Sequence, residues 1–222
     1  MKSVITLHAY GDRRPAIRAQ GAIAVRQTGP NTVHLISAAA TPLGGDTIEF
    51  EIGVADGAQL VVRSVAAMLA LPGRHQSWSS TTWNITLGAG AGLLLDPLPT
   101  VVADGADHES TLRAVLAADS SLQIIERIQL GRSGERGGSW SGRMSIDVAG
   151  VPLLRHQVNL GAGDSLADAR AMTSELRFPD ERDTAVAEDS VRMQLAGGGT
   201  LSCQLADVLL ADDPTDRFGL LA

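Results

Sequence analysis

Several residue types are scarce in this 222-residue chain, and each scarcity excludes a class of protein. Cys203 is the single cysteine, so the chain can form neither an intrachain disulfide nor a cysteine-paired metal knuckle, and a reducing compartment fits. Lys2 is the only lysine among 18 basic residues, and the arginines are spread along the sequence without a basic patch for nucleic acid.

Long apolar runs are also missing. No segment reaches the roughly 18 consecutive apolar residues that a transmembrane helix needs. The first residues, MKSVITLHAYGDRRP, lack the charged, apolar and cleavable parts of a secretory signal. The sequence therefore predicts a cytoplasmic protein that binds neither membrane nor nucleic acid.

What the chain contains in abundance is apolar residues, at 44%, and glycine, at 24 residues, with a net charge of −7. This composition predicts a globular protein with many tight turns. We expect residues 1–222 to form one mainly β domain of many short antiparallel and mixed strands, arranged as stacked sheets of an irregular β-helical kind. No fixed-period repeat of a regular solenoid is visible.

Strict alternation of apolar and polar residues predicts the strands. In Thr47–Val54, four apolar side chains fall on one face and polar ones on the other. Similar patterns predict strands over 17–25, 83–87, 122–130, 144–148 and 154–160. Residues 191–196 and 200–205 flank Gly197–Gly199, which predicts a hairpin closed by glycines.

Helices are expected only near the C-terminal part. Ser165 and Asp168 resemble a capping box, helix-forming residues continue to Arg177, and Pro179 ends the segment. A shorter helix is predicted over 205–212. Since no long helices alternate with the strands, we do not expect a parallel sheet built from βαβ units.

Common catalytic and nucleotide-binding motifs are absent. The GAGAG sequence at Gly88–Gly92 is followed by LLLDPLP, whose prolines prevent the helix that a dinucleotide loop requires, so it predicts a turn. No GxxxxGK[ST], GxSxG or HExxH motif occurs. The five histidines are scattered, so no preformed metal site is visible and no tightly bound cofactor is expected.

Two polar residues interrupt predicted apolar faces. Glu126 shares a face with Leu122, Ile124, Ile128 and Leu130, and a carboxylate in such a place must be paired, hydrogen-bonded or turned toward internal water. His156 interrupts the 154–160 strand in the same way. A satisfied structural role is one interpretation. The other is a polar passage through a β core, past which a hydrated divalent cation moves without being held.

Trp78 and Trp83 lie in the Ser/Thr-rich segment SWSSTTWNITLG, which leads into a strand. Packing on an edge strand is the simpler interpretation. A partner-binding surface is the alternative, because tryptophan is enriched in the parts of interfaces that contribute most to binding.

Four segments resemble the urease accessory protein D family. They are Pro42–Asp46 leading into TIEFEIGVADGAQLVVRS, LLLDPLPTVV at 93–102, IERIQLGRSGERGGSW at 125–140, and GVPLLRHQVNL at 150–160. The resemblance covers about residues 17–178, and the LGRSGE segment is its most specific part.

The resemblance implies a non-enzymatic scaffold for urease maturation. Such a protein binds apo-urease and accessory protein F, the complex then receives the GTPase accessory protein G, and nickel passes through the D protein in transit. Asp46, Glu126, Arg132 and Glu135 match charged positions of the family motifs. They are expected to line the tunnel or a partner interface, with Glu126 and His156 as transient contacts for Ni²⁺.

Two other functions remain open at the level of the sequence. A β-rich hydrolase would need two carboxyl groups roughly 5–9 Å apart, for which Glu126 with Asp147 or Glu135 are candidates. A passive structural β protein would need neither partner nor metal.

Overall fold

The computed structural model describes residues 1–161 and 169–209. In this part of the chain, 18 strands form two stacked sheets, and no helix is present. The strands are β1 (Lys2–Ala9), β2 (Ala16–Gln20), β3 (Ile23–Gln27), β4 (Thr32–Ser37), β5 (Thr47–Val54), β6 (Gln59–Ser64), β7 (Met68–Ala70), β8 (Trp78–Leu87), β9 (Gly92–Asp96), β10 (Thr100–Val102), β11 (Asp107–Leu116), β12 (Ser121–Leu130), β13 (Ser139–Val148), β14 (Val151–Leu160), β15 (Ala171–Phe178), β16 (Ala185–Val186), β17 (Ser190–Gln194) and β18 (Thr200–Ala206).

The two sheets differ in size, with seven strands in the front sheet and eleven in the back sheet. The front sheet has the strand order β14-β13-β11-β8-β5-β1-β2. The back sheet has the order β16-β17-β18-β15-β12-β9-β6-β4-β3, and β10 pairs with both β12 and the short strand β7. Parallel strands occupy the centre of each sheet, while antiparallel strands complete both ends.

The central part of the chain winds as a β-solenoid. It alternates between back strands β4, β6, β9 and β12 and front strands β5, β8, β11 and β13, and each strand pairs in parallel with its equivalent in the next coil. Two rims connect the sheets. The turn rim consists of the short turns from front to back, residues 55–58, 88–91 and 117–120. The loop rim comprises residues 38–46, 71–77, 103–106 and 131–138.

The turn rim explains the abundance of small residues. Gly88 N donates to Val54 O at 2.9 Å, and Ala117 N donates to Leu87 O at 3.0 Å, so successive turns stack on one another. Ala58 and Ala91 are buried inside these turns, where larger side chains would not fit between adjacent coils. Because the coils differ in length, this repetition is not visible as a fixed period in the sequence.

Glycines let the loops of the loop rim pack backbone against backbone. A Cβ on Gly44 would lie 1.9 Å from Gln76 O and 2.6 Å from Gly73 N. Gly45, which follows it, has a φ of 97°, a left-handed conformation that favours glycine. The Gly-Gly pair before Asp46 is therefore a packing requirement of this corner.

Most sequence-based strand predictions are confirmed. Thr47–Val54 is β5, the predicted segments 83–87, 122–130, 144–148 and 154–160 lie within β8, β12, β13 and β14, and the 191–205 hairpin is β17 with β18. The prediction of one strand over 17–25 is wrong. Gly21, with a φ of 100°, breaks it into β2 in the front sheet and β3 in the back sheet.

The predicted helices are corrected. Residues 171–177, expected to complete a helix, lie in β15, which pairs with β12 on one side and β18 on the other. The helix-forming residues there are overridden by burial within a sheet. Leu205 and Ala206 lie in β18 rather than at the start of a second helix. Residues 169–170 and 207–209 are not helical either, and the remaining parts of both predictions, 165–168 and 210–212, lie outside the described residues. The described chain offers no helix that could span a membrane.

Candidate functional site

A cavity of about 80 Å³ lies between the sheets, near the loop rim. Two apolar clusters meet there, one containing Phe50, Trp83 and Ile124 and the other containing Ile128 and Trp140. The lining continues from these buried side chains to Leu98, which is exposed, so the cavity reaches the surface. A cavity of this size has room for several water molecules, provided that polar groups hold them.

One wall of the cavity is a polar layer on the front sheet. Thr81 of β8 and His108 and Ser110 of β11 point inward near the loop rim, and all three line the cavity. His108 is 1% exposed; its Nδ1 lies 2.9 Å from Ser79 Oγ and its Nε2 lies 3.2 Å from Thr81 Oγ1. Burial lowers the pKa of His108 to about 4. The ring is therefore neutral at physiological pH and does not repel a cation.

Glu126 faces this layer from the back sheet. Ser110 Oγ donates to Glu126 Oε1 at 3.1 Å. Burial raises the pKa of Glu126 to about 7, and the hydrogen bond from Ser110 opposes this rise. Arg127, the next residue on β12, also lines the cavity, but its charge is paired with Asp96, to whose Oδ1 it donates at 2.8 Å. Within the described chain Glu126 forms no ion pair; its carboxyl group is hydrogen-bonded to Ser110 and lines the cavity.

The raised pKa predicts how a Glu126→Gln variant changes stability with pH. Between about pH 4.5 and 7 the folded protein holds a proton at Glu126 that the unfolded chain has released, so this residue lowers the free energy of unfolding as pH rises. We expect Glu126→Gln to have the same free energy of unfolding as the parent near pH 4.5 and to be more stable by about 2 kcal/mol at pH 8. This gain is smaller than the full difference in pKa between the folded and unfolded states implies, because the Glu126 side chain is partly exposed.

Urea unfolding at a series of pH values measures this difference. The exposed carboxyl of Glu181 provides the control, because Glu181→Gln makes the same substitution at the surface, outside the cavity. A Glu126→Gln effect that is independent of pH would show that Glu126 ionises normally in the folded protein.

The structure does not bring His156 to the cavity. It lies on β14 opposite Met144 of β13, is partly buried, and is absent from the lining residues. Burial lowers its pKa. Cys203 is nearer in register, since Glu126 pairs with Ser174 and Ser174 pairs with Cys203. Burial, with a smaller effect of the Glu126 charge, raises the pKa of the Cys203 thiol to about 11, so it offers no thiolate at neutral pH.

Asp46 stabilises the first corner of the loop rim. It is 6% exposed and accepts hydrogen bonds from Leu43 N at 2.9 Å, Thr41 Oγ1 at 3.1 Å and the Met1 ammonium at 2.5 Å. Burial alone would raise the pKa of Asp46, but these hydrogen bonds and the ammonium charge lower it. Asp46 does not line the cavity described above.

Arg132 and Glu135 brace the last loop of the loop rim. Glu135 accepts from Arg132 Nε at 2.7 Å, from Arg132 N at 3.0 Å and from Asp104 N at 3.2 Å. The hydrogen bonds from Arg132 lower the pKa of Glu135 to about 2. Arg170 Nη2 donates to Glu135 O at 2.5 Å, which ties this loop to the chain before β15. The LGRSGE segment thus forms a closed turn at the surface, next to the loop of Asp104.

The two tryptophans have different surroundings. Trp83 is 9% exposed, stacks on Phe50 with a centroid distance of 3.8 Å, and lines the cavity, so it cannot form an external surface. Trp78 is 41% exposed at the loop rim. The interpretation of an edge strand is wrong, because β8 lies between β5 and β11 inside the front sheet. Trp78 thus remains a candidate for partner binding, whereas Trp83 forms part of the cavity wall.

The carboxyl pairs that a hydrolase would need do not form around Glu126. Asp147 lies on β13 and accepts from Arg155 Nη2 at 2.6 Å, and Glu135 is held in its surface loop. Neither residue lines the cavity, and Glu126 is the only carboxyl group among the described residues that do. Nothing in this geometry favours acid–base hydrolysis by paired carboxylates.

Sequence reasoning missed Thr81, His108 and Ser110. The signal was present, because in β8 and β11 the inward positions change from polar at the loop rim to aliphatic farther along each strand. Recognising it required the register that places Thr81 beside Ser110, which the sequence does not reveal. Glu126 was found because it interrupts an apolar run.

Comparison with known proteins identifies the family. A family model described as UreD urease accessory protein matches residues 11–178. A urease accessory protein UreD of Frankia alni is 42% identical over 204 residues, covering 79% of this chain and 68% of the relative. A UreD of Parafrankia sp. is 40% identical over 231 residues, covering 88% and 78%. Urease accessory protein UreD 1 of Saccharopolyspora erythraea is 34% identical over 200 residues, covering 86% and 77%. This chain belongs to the UreD urease accessory protein family.

Proposed function

We propose that this protein is a non-enzymatic urease maturation factor of the cytoplasm. It binds apo-urease and accessory protein F, then accessory protein G, and guides Ni²⁺ toward the urease active site. Family membership supports the role in urease maturation. The observation that carries the nickel step is Glu126, a carboxyl group without an ion pair in the described chain, which faces the polar wall of a cavity that reaches the surface.

The cavity chemistry suits passage better than storage. One carboxylate attracts a divalent cation, whereas stable sites for such ions use several protein ligands. No group of three or more His, Cys, Asp or Glu side chains comes together in residues 1–161 and 169–209. Hydroxyl groups of Thr81 and Ser110 can accept hydrogen bonds from the waters of a hydrated ion. A cation that keeps most of its waters is then attracted by Glu126 but not retained.

Reconstitution with purified components tests this function. Apo-urease, accessory proteins F and G, GTP and Ni²⁺ are combined with or without this protein, and ammonia release from urea is followed. We expect the protein to co-elute with apo-urease and accessory protein F from a sizing column, and activation to depend on it. Separate elution together with equal activation in its absence would contradict the proposal.

A further inference from the structure

The outward face of the front sheet carries three arginines on neighbouring strands. Arg113 of β11 and Arg155 of β14 are both in register with Ser145 of β13. Arg143 lies two residues before Ser145 on the same face of β13. All three side chains are exposed, while the residues flanking Arg113 and Arg143 are buried. Strand pairing thus gathers arginines that are 30 and 12 residues apart in sequence into one surface.

Carboxylates on this surface balance only part of the charge. Asp147 Oδ1 is 2.6 Å from Arg155 Nη2. Glu109, on the same face of β11, accepts from Thr111 Oγ1 at 3.5 Å. Arg143 Nη2 donates to the Gln157 side-chain oxygen at 3.3 Å, and no described carboxylate lies within ion-pair distance of Arg143 or Arg113. Arg113 and Arg143 therefore form no ion pair among the described residues, and this face carries three arginines against two carboxylates on a chain with a net charge of −7.

Exposed apolar residues adjoin the arginines. Val115 of β11 is 54% exposed, and the register places Val115, Asp147 and Pro152 side by side across three strands. We call Arg113, Arg143, Arg155, Val115 and Pro152 the arginine patch. Arginines next to exposed aliphatic groups are typical of protein interfaces, where charged rims surround apolar contacts.

We propose that the arginine patch binds a carboxylate-rich surface of a protein partner in the urease maturation complex. The planar guanidinium group pairs with carboxylates through two parallel hydrogen bonds. An acidic partner is repelled by the negative chain as a whole, so a local positive patch both attracts it and fixes its orientation. Two arginines without an ion pair are too few to hold a nucleic-acid backbone against a net charge of −7. The identity of the partner rests on the proposed function.

Charge reversal tests the proposal. The double variant Arg113→Glu, Arg143→Glu is compared with Arg18→Glu, which changes an exposed arginine of β2 at the other end of the same sheet. Binding of immobilised apo-urease and of accessory protein F is measured at low and at physiological salt, with thermal unfolding as the check that each variant folds. We expect the double variant to bind one of these proteins about tenfold more weakly at low salt, with a smaller salt dependence. Arg18→Glu should bind like the parent.

The outcomes separate the two proposals. If the parent protein binds neither apo-urease nor accessory protein F, the proposed function fails. If the parent binds and the double variant binds with the same affinity and the same salt dependence, only the arginine patch is overturned. Binding of a short DNA duplex by the parent that the double variant loses would assign the patch to nucleic acid and would also overturn the proposal.

Discussion

Glu126→Gln is expected to slow nickel-dependent activation of urease by about tenfold while leaving the protein folded and bound to its partners. The substitution keeps the shape of the side chain and its contact with Ser110 Oγ, which is 3.1 Å from Glu126 Oε1, but removes the negative charge that Glu126 carries above its pKa of about 7. At an effective dielectric constant near 20, a carboxylate and a unit charge about 4 Å apart attract by roughly 4 kcal/mol, and the hydration that the ion gives up offsets part of this. A net effect near 1.4 kcal/mol corresponds to the tenfold change.

The measurement is the initial rate of activation at limiting Ni²⁺, with co-elution of the variant and apo-urease as the check on assembly. Glu181→Gln is the control, because Glu181 is exposed and lies neither in the cavity lining nor on the strands of the arginine patch. It should activate like the parent. Raising the Ni²⁺ concentration should partly restore the Glu126→Gln rate, since the variant lacks attraction for the ion and not a catalytic group. Full activation by Glu126→Gln at limiting Ni²⁺ would remove Glu126 from the path.

Gly44→Ala is expected to lower the free energy of unfolding by about 3 kcal/mol, at the upper end of the usual cost of overpacking. The added Cβ would stand 1.9 Å from Gln76 O and 2.6 Å from Gly73 N, and both neighbours are backbone atoms that cannot rotate away. To relieve the contact, the 38–46 loop must move away from the 71–77 loop. The hydrogen bonds from Gly44 N to Leu71 O and from Gly45 N to Trp78 O, at 2.9 and 2.7 Å, would weaken as it does.

Urea unfolding followed by circular dichroism measures the loss, and Gly11→Ala is the control. Gly11 has no positive φ, and the nearest atom to its added Cβ is Asp56 O at 3.9 Å, so this substitution should change stability little. Equal stabilities of the two variants would show that the loop rim adapts to a methyl group at Gly44. Asp46 accepts a hydrogen bond from Leu43 N in the same corner. Gly44→Ala should therefore also weaken the contribution of Asp46 to the free energy of unfolding.

The strands with one buried face were predictable from the sequence. Thr47–Val54 alternates strictly because β5 packs its apolar side chains against the back sheet and turns its polar ones outward. The 171–178 segment was not predictable in this way. In β15, Met172, Ser174, Glu175 and Leu176 are all buried, so both faces are covered and no alternation marks the strand. Helix propensity was then the only local signal, and it was misleading.

Local pattern and motif by themselves determined that this is a mainly β protein of the UreD type with an unusual carboxylate at Glu126. Such features depend on residues close together in the chain, and burial of one strand face leaves a periodic record in the sequence. Only the tertiary structure decided that Glu126 meets Ser110 in a cavity, that His156 lies elsewhere, and that Arg113, Arg143 and Arg155 share one surface. These relations depend on strand register between coils of unequal length, which arises from backbone pairing and close packing across the whole solenoid.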